Sequence, residues 1–466
     1  MQLAIICGFS MFYAYYLMSF FGFFMLNRSQ MGFTELHAGQ IVFFLASILT
    51  TGAFLAQFRQ TNSVAIGHAH FIYLAALIPG LLLPACMSAM ELGLEVGLPQ
   101  FYAACTLAGA SIGVGFMLWE DLSMRGYLNR GVLAHGIVFS AGGIAFLATT
   151  FFEPRLGNAV ISALCLCAST ALFAFIALRC SASEDSPAKP ASDFFGTMLH
   201  LDIVVAVINT AFGYAFIMLY QQNELALLGA MAAAIAADLC FSIAFGRGRW
   251  IMFAGAVRIC AAIASCTLIL YSCLNGAGGT VALCLAIVLW FVFRTVNGGS
   301  LTDLANRLGN SSLYTCTRGK LSSNIGFTIG LGLGVVIAQL GSPAVAHTYV
   351  PLALVALFIM TALFLLPFDA ESSKVGYKTL ALVKMHEAAD SSIQVACEAV
   401  SHRYKLSPRE AEVLCILVKG RNAKHIAEKL YISESTAKTH ISKIYRKTGV
   451  HSQQELLDAI EHLQAS

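Results

Sequence analysis

SESTAKTHISKIYRKTGV, residues 433–450, is the stretch from which the rest of the chain can be read. Ser433 suits a helix N-cap, because its hydroxyl can accept a hydrogen bond from an amide of the first turn. Ala437, Ile441, Ile444 and Thr448 recur at helical spacing and mark one face for burial. Lys438, Thr439, Ser442 and Arg446 fall on the opposite face, where cationic and hydroxyl side chains can reach base edges in a DNA major groove. Thr436, His440, Lys443 and Lys447 flank that face, where phosphate is the expected partner.

Just upstream, LSPREAEVL (406–414) opens a first helix, expected from Pro408 to Val418. Ser407 can cap it, Pro408 suits its first turn, and Glu410 can reach back to the cap amide. Ala411, Leu414 and Leu417 or Val418 form its inward stripe, and Gly420 permits the left-handed residue that ends it. Asn422 caps a short second helix that turns Ile426, Ala427 and Leu430 inward before a turn at Tyr431 and Ile432. Downstream, Ser452 and Glu455 repeat the capping pattern ahead of a fourth helix with Leu456, Leu457, Ile460 and Leu463 on one side.

LSPREAEVL, HIAEKLYISESTAKTHISKIYRKTGV (425–450) and HSQQELLDAI (451–460) together resemble the C-terminal domain of the LuxR family of transcription regulators. The resemblance implies Lys438, Thr439 and Ser442 toward bases, and Thr436 and Lys443 toward the backbone of double-stranded DNA. It also implies that the fourth helix pairs two heads into a homodimer, with packing of part of its stripe onto its own domain as the alternative. Ala437 stands where the family usually has valine and Thr448 where it usually has leucine. A soluble receiver or autoinducer-binding domain is not recognisable upstream, so the preceding residues are expected to supply any input.

Those residues are of a different kind. Across the chain 58% of residues are hydrophobic, only 11% are charged, and the mean hydropathy is +0.74, which excludes an ordinary soluble globule. Fourteen of the 28 Lys and Arg follow Glu371, so basic character concentrates in the last fifth, as a nucleic-acid partner requires. Apolar runs long enough to cross about 30 Å of hydrocarbon occur twelve times: 3–26, 38–57, 70–89, 98–119, 132–152, 158–178, 200–220, 225–245, 250–272, 281–300, 321–341 and 347–368. The first has no basic lead and no convincing cleavage site, so a retained span is expected rather than a signal peptide. An even number of spans puts both termini on one side, expected to be the cytoplasmic side of the cell membrane because DNA is there. Loop charges agree: Arg59, Arg125, Arg130, Arg179, Lys189, Arg247, Arg249, Arg307, Arg318 and Lys320 lie in inside loops, against Arg28 and Arg155 outside.

The polar segment RCSASEDSPAKPASD (179–193) divides the spans into six and six. Asp121, Leu122 and Arg125 recur as Asp303, Leu304 and Arg307, in corresponding loops of the two halves. Two six-span halves joined by a cytoplasmic linker resemble the major facilitator superfamily. The family's acidic and basic loop motif is nevertheless missing from QFRQTNSVAIGH (57–68), and only Gly246, Arg247, Gly248 and Arg249 survive in the other half. That departure argues against active transport and leaves the fold in place. The expected architecture is all-α: a first membrane half (1–178), a cytoplasmic linker (179–199), a second half (200–368), a tether (369–402) and a four-helix helix-turn-helix DNA-binding domain (403–466).

Within the spans, ionisable residues cost about 2.5–3.5 kcal/mol each to insert and so tend to face a cavity or a partner. Asp202, Asp238, Arg258 and Arg294 qualify as lining for a polar ligand pocket or as an internal charge pair between the halves, though Asp202 and Arg294 lie near enough to span ends to snorkel instead. His135 reads as a packing residue, and Gly326, Gly330 and Gly334, four apart, as a line of close helix approach. The cysteines are scattered through apolar spans, and neither a metal-ligand spacing nor a catalytic or nucleotide motif is evident, so no metal, cofactor or enzymatic activity is expected. The expected function is a membrane-bound regulator whose spans, in the lipid bilayer, sense a small-molecule effector or membrane state. A transporter with a regulatory tail is the alternative.

Overall fold

The computed structural model describes residues 2–26, 31–58, 66–123, 131–151, 156–179, 195–245, 253–308, 312–342, 344–365, 397, 400, 401, 403–418, 422–430, 433–450 and 452–456. The chain divides into two compact units, Met1–Phe368 and Asp369–Ser466. Most of the linker and of the tether, together with the loops carrying Arg59, Arg125 and Arg247, lies outside the described residues.

Twelve helices build the first unit: α1 (Gln2–Leu26), α2 (Phe33–Phe58), α3 (Ile66–Glu91), α4 (Leu98–Leu122), α5 (Gly131–Phe151), α6 (Leu156–Arg179), α7 (Phe195–Gln222), α8 (Glu224–Phe245), α9 (Phe253–Cys273), α10 (Ala277–Leu308), α11 (Ser312–Leu340) and α12 (Val350–Leu365). Each expected span falls on one of them, and no strand occurs among the described residues. Among the described residues nine are long and apolar enough to cross a membrane, and shorter apolar helices occur at Pro79–Met90, Ile259–Cys273 and Val345–Thr361. Large side chains such as Leu49, Leu225, Ile259 and Met360 point outward, as lipid permits and water does not favour. The halves meet where α2 packs on α11 and α5 packs on α8 and α10.

Backbone proximity explains part of the packing. A Cβ on Gly326 would sit 2.0 Å from the Ala206 carbonyl oxygen, and one on Gly330 would sit 2.0 Å from that of Thr210, so α11 lies directly against α7. Gly109 stands in the same relation to the Phe43 carbonyl, which brings α4 onto α2. Polar side chains inside the unit are tied across helices: the Trp119 indole donates to Ser169 Oγ at 3.0 Å, and that hydroxyl donates to the Gly8 carbonyl at 2.8 Å.

One boundary departs from expectation with consequences. α11 begins at Ser312, nine residues before the expected span, and so carries Arg318 and Lys320 within a helix instead of in a loop. The polar start of the helix hid it from a reading by hydropathy; Thr315, Arg318 and Asn324 are buried against protein neighbours. Arg179 and Arg307 likewise fall within α6 and α10, so four of the ten inside cations leave the loop tally and six remain between helices against two, which reduces the asymmetry and keeps its sign.

In the second unit α13 (Pro408–Val418), α14 (Ala423–Leu430) and α15 (Glu434–Thr448) enclose Val413, Leu414, Leu417, Ile426, Ala437, Ile444 and Leu456, joined by Cys397 and Val400. Val413 and Ile416 are buried where the sequence pointed to Ala411, which is only half-buried. Residues 453–456 begin a further helical turn, and Leu457, Ile460 and Leu463 lie outside the described residues.

Candidate functional site

The presentation of α15 follows from its ends. Ser433 Oγ accepts from the Thr436 amide at 3.1 Å, and Gly449, at φ 77°, closes the helix with its amide donating to the Tyr445 carbonyl at 2.8 Å. Ala437 and Ile444 are fully buried, which fixes the helix's rotation. Thr436, Lys438, Thr439, Ser442, Lys443 and Arg446 are exposed together on the outer side, and His440 is half-buried. Glu434 holds Lys438 in an exposed ion pair at 2.7 Å one turn away, while Thr439 Oγ1 donates to the Ser435 carbonyl.

Lys447 sits apart from this surface. Its ammonium donates to Glu410 Oε2 at 2.6 Å and to the Lys405 carbonyl at 3.1 Å, which fastens α15 to the start of α13. Glu410 also accepts from the Ser407 amide at 2.8 Å, and its own amide donates to Ser407 Oγ at 3.3 Å, forming a reciprocal cap. The Lys447 hydrogen bond, followed by that from Ser407, holds the Glu410 carboxyl down to about 2. In the same way Gln453 donates to the Leu417 carbonyl and Arg409 to the Leu430 carbonyl, so the ends of α13 and α14 are satisfied by side chains.

A second constellation lies at the centre of the membrane unit. A cavity of about 50 Å³ has Tyr16, Glu120, Trp290, Arg294, Asn297 and Lys320 among its walls. The Arg294 guanidinium rests 4.8 Å from the Tyr13 ring centroid, 4.9 Å from Tyr16 and 5.1 Å from Phe139. The Lys320 ammonium lies 3.4 Å from the Phe116 centroid. Ring faces carry partial negative charge, so they offset some of the cost of keeping two cations away from water. Arg294 is thus far from snorkelling: it lies mid-helix on α10, under rings supplied by α1 and α5.

The other sequence candidates separate. Asp238 on α8 is fully buried beside Arg294, with the hydroxyls of Ser140 and Thr295 near its oxygens but not aligned as close hydrogen bonds. Asp202 is bound by Arg318 through a hydrogen-bonded ion pair between α7 and α11, and it is not among the cavity walls. The side chain of Arg258 lies outside the described residues. Glu120 and Lys320 escape a sequence reading of the pocket because each stands just beyond an expected span end; the continuation of α4 and α11 into polar sequence is the missing signal.

Comparison with known proteins matches the two units to different relatives. Residues 404–460 match the luxR family of bacterial regulatory proteins. The uncharacterized response regulatory protein YgeK of Escherichia coli K12 is 35% identical over 94 residues, which cover 17% of this chain and 64% of that protein. The Fimbriae Z protein of the same organism is 38% identical over 81 residues, 17% of this chain and 35% of its own length. The transcriptional regulatory protein LnrK of Bacillus subtilis is 56% identical over 45 residues, 10% of this chain and 20% of its length. The chain therefore spans less than two thirds of these relatives. Among solved structures, the human organic anion transporter MFSD10 superposes with a TM-score of 0.55 at 12% identity, covering 77% of this chain and 97% of its own. The Escherichia coli fucose:proton symporter FucP gives 0.50 at 14%, covering 78% and 97%. At such identities the likeness concerns the fold alone. The chain carries a LuxR-type helix-turn-helix domain at its C-terminal end and a multi-pass membrane fold of the major facilitator type before it.

Proposed function

We propose that the protein is a membrane-anchored one-component transcription regulator. Its membrane unit binds a small-molecule effector, and its LuxR-type head, on the cytoplasmic side of the cell membrane, binds promoter DNA as a homodimer. The observation that carries this reading is the outer side of α15, where Lys438, Thr439, Ser442 and Lys443 stand exposed on a helix anchored by buried Ala437 and Ile444. Such a helix fits a major groove, with Lys438 and the hydroxyls toward bases and Thr436 and Lys443 toward phosphates. Coupling requires that effector bind one state of the membrane unit better than another, since equal affinity for both shifts nothing.

The test is a genome-wide map of DNA bound by the full chain, followed by a reporter on a bound promoter. Lys438→Ala is expected to relax base choice at one operator position and cost about 1–3 kcal/mol of binding. An effect no larger than that of Lys429→Ala rejects the base contact. The membrane fold, with ionisable groups at its centre, favours a second reading, a transporter whose tail regulates its own supply. Uptake by the purified chain in proteoliposomes separates the two.

A further inference from the structure

We propose that the central cavity of the membrane unit is a binding site for a small organic monocarboxylate, held between the Arg294 guanidinium and the Lys320 ammonium. The inference deepens the sensor reading above and rests on it for its biological role. Three observations carry it. First, Arg294 Nη2 is buried without a hydrogen-bond partner among the described residues. A buried charged donor left unsatisfied is costly, and an acceptor delivered into the cavity removes that cost. Second, Lys320 borders the same cavity, where its ammonium lies over the ring faces of Phe116 and Tyr16 and is attracted by the Glu120 carboxylate. Ring faces accept no strong hydrogen bond and Glu120 can engage only part of an ammonium's three donors, so donors remain for an oxygen ligand. Third, the rings that would otherwise welcome a cationic ligand are already covered by Arg294 and Lys320.

The charge and size of the ligand follow from the remaining walls. Glu120 faces the cavity with the two cations, and Asp238 lies behind Arg294. One negative charge entering beside Glu120 is tolerated, whereas a dianion such as phosphate meets repulsion in a low-dielectric setting. A volume of about 50 Å³ corresponds to roughly three to five water-sized positions. A carboxylate of two or three carbons fits that space, with its oxygens toward Arg294 and Lys320 and its short apolar end toward Phe327 or Trp290.

The experiment uses the full chain in lipid nanodiscs, with sodium propionate as probe and propionamide, sodium chloride and sodium phosphate at matched ionic strength as controls. Propionate is expected to raise the thermal midpoint where the three controls do not. Arg294→Gln and Lys320→Gln are each expected to weaken propionate binding about tenfold or more, the loss of one charge-assisted contact. Glu120→Gln is expected to tighten it, which keeps the test decisive if Arg294→Gln does not fold. Equal stabilisation by propionamide or phosphate, or unchanged propionate affinity in both Lys320→Gln and Glu120→Gln, overturns the proposal. A promoter reporter is read separately: propionate binding with no reporter response sinks the sensor reading and keeps the site. A reporter that answers another compound, with no propionate binding, does the reverse.

Discussion

The two units treat charge in opposite ways. In the head, cations cluster on the exposed side of α15, and the one acid buried there among the described residues, Glu410, is met by Lys447 and the Ser407 amide within hydrogen-bond distance. In the membrane unit, cations lie inside: Arg294 and Lys320 are covered by aromatic rings, and Arg318 is paired with Asp202. Water solvates the first arrangement, so its ionic groups can be spent on a partner outside the fold. The second has no water to lean on, so each cation needs protein or ligand beside it. The same residue types thus point outward to solvent in one unit and inward to a cavity in the other.

The strongest break in this comparison should come from the head's small core. Leu414 is fully buried there, and Leu414→Ala is expected to cost about 2–5 kcal/mol, enough to unfold most of a domain this size. Urea titration of residues 369–466 by circular dichroism measures it; a loss under about 1 kcal/mol would mean the core collapses around the gap.

Next in size is Glu410→Gln, expected to cost about 1–3 kcal/mol by breaking a charge-assisted bond to Lys447. The sign with pH is fixed by the depressed carboxyl. Glu410 titrates lower folded, at about 2, than its ordinary 4.5, so its contribution is full above about 4.5 and is lost as pH falls toward 2. Stability of the head between those limits should therefore slope with pH in the native sequence and slope less in Glu410→Gln. Parallel slopes would remove Glu410 from the account.

In the membrane unit the matching device is backbone contact, not charge. Gly330→Ala places a methyl group where the Thr210 carbonyl now lies, and α7 and α11 must separate at a cost of about 1–3 kcal/mol. A lowered thermal midpoint in detergent, without change in the head's own unfolding, is the expected result. An unchanged midpoint would show that α11 can shift freely along α7.

How much was legible in the sequence follows from the range of the interactions. Pro408–Val418 was readable to the residue because Ser407, Pro408 and Glu410 act within one turn. The close approach of α11 was readable from Gly326 and Gly330, since small residues at that spacing have one usual use. The cavity was not. Its rings come from α1, α2, α5, α10 and α11, its charges from α4, α10 and α11, and no periodicity along one helix records which remote helices will meet. The Lys447–Glu410 pair is illegible for the same reason: the acid lies 37 residues away, on another helix.

The smallest expected effect separates stability from function on α15 itself. Glu434 and Lys438 form an exposed pair one turn apart, 2.7 Å between charged atoms. Surface pairs of this kind contribute about 0.3–0.5 kcal/mol or less, so Glu434→Ala should leave unfolding of the head nearly unchanged. DNA binding should respond in the other direction. Lys438 must leave Glu434 to reach a base edge, and a carboxylate at the groove also repels phosphate, so its removal should tighten binding and steepen its dependence on salt. Affinity measured on one operator at two salt concentrations decides it. Weaker binding by Glu434→Ala would mean that the pair orients Lys438 for the groove instead of withholding it, and the ion pair would then belong to the recognition surface.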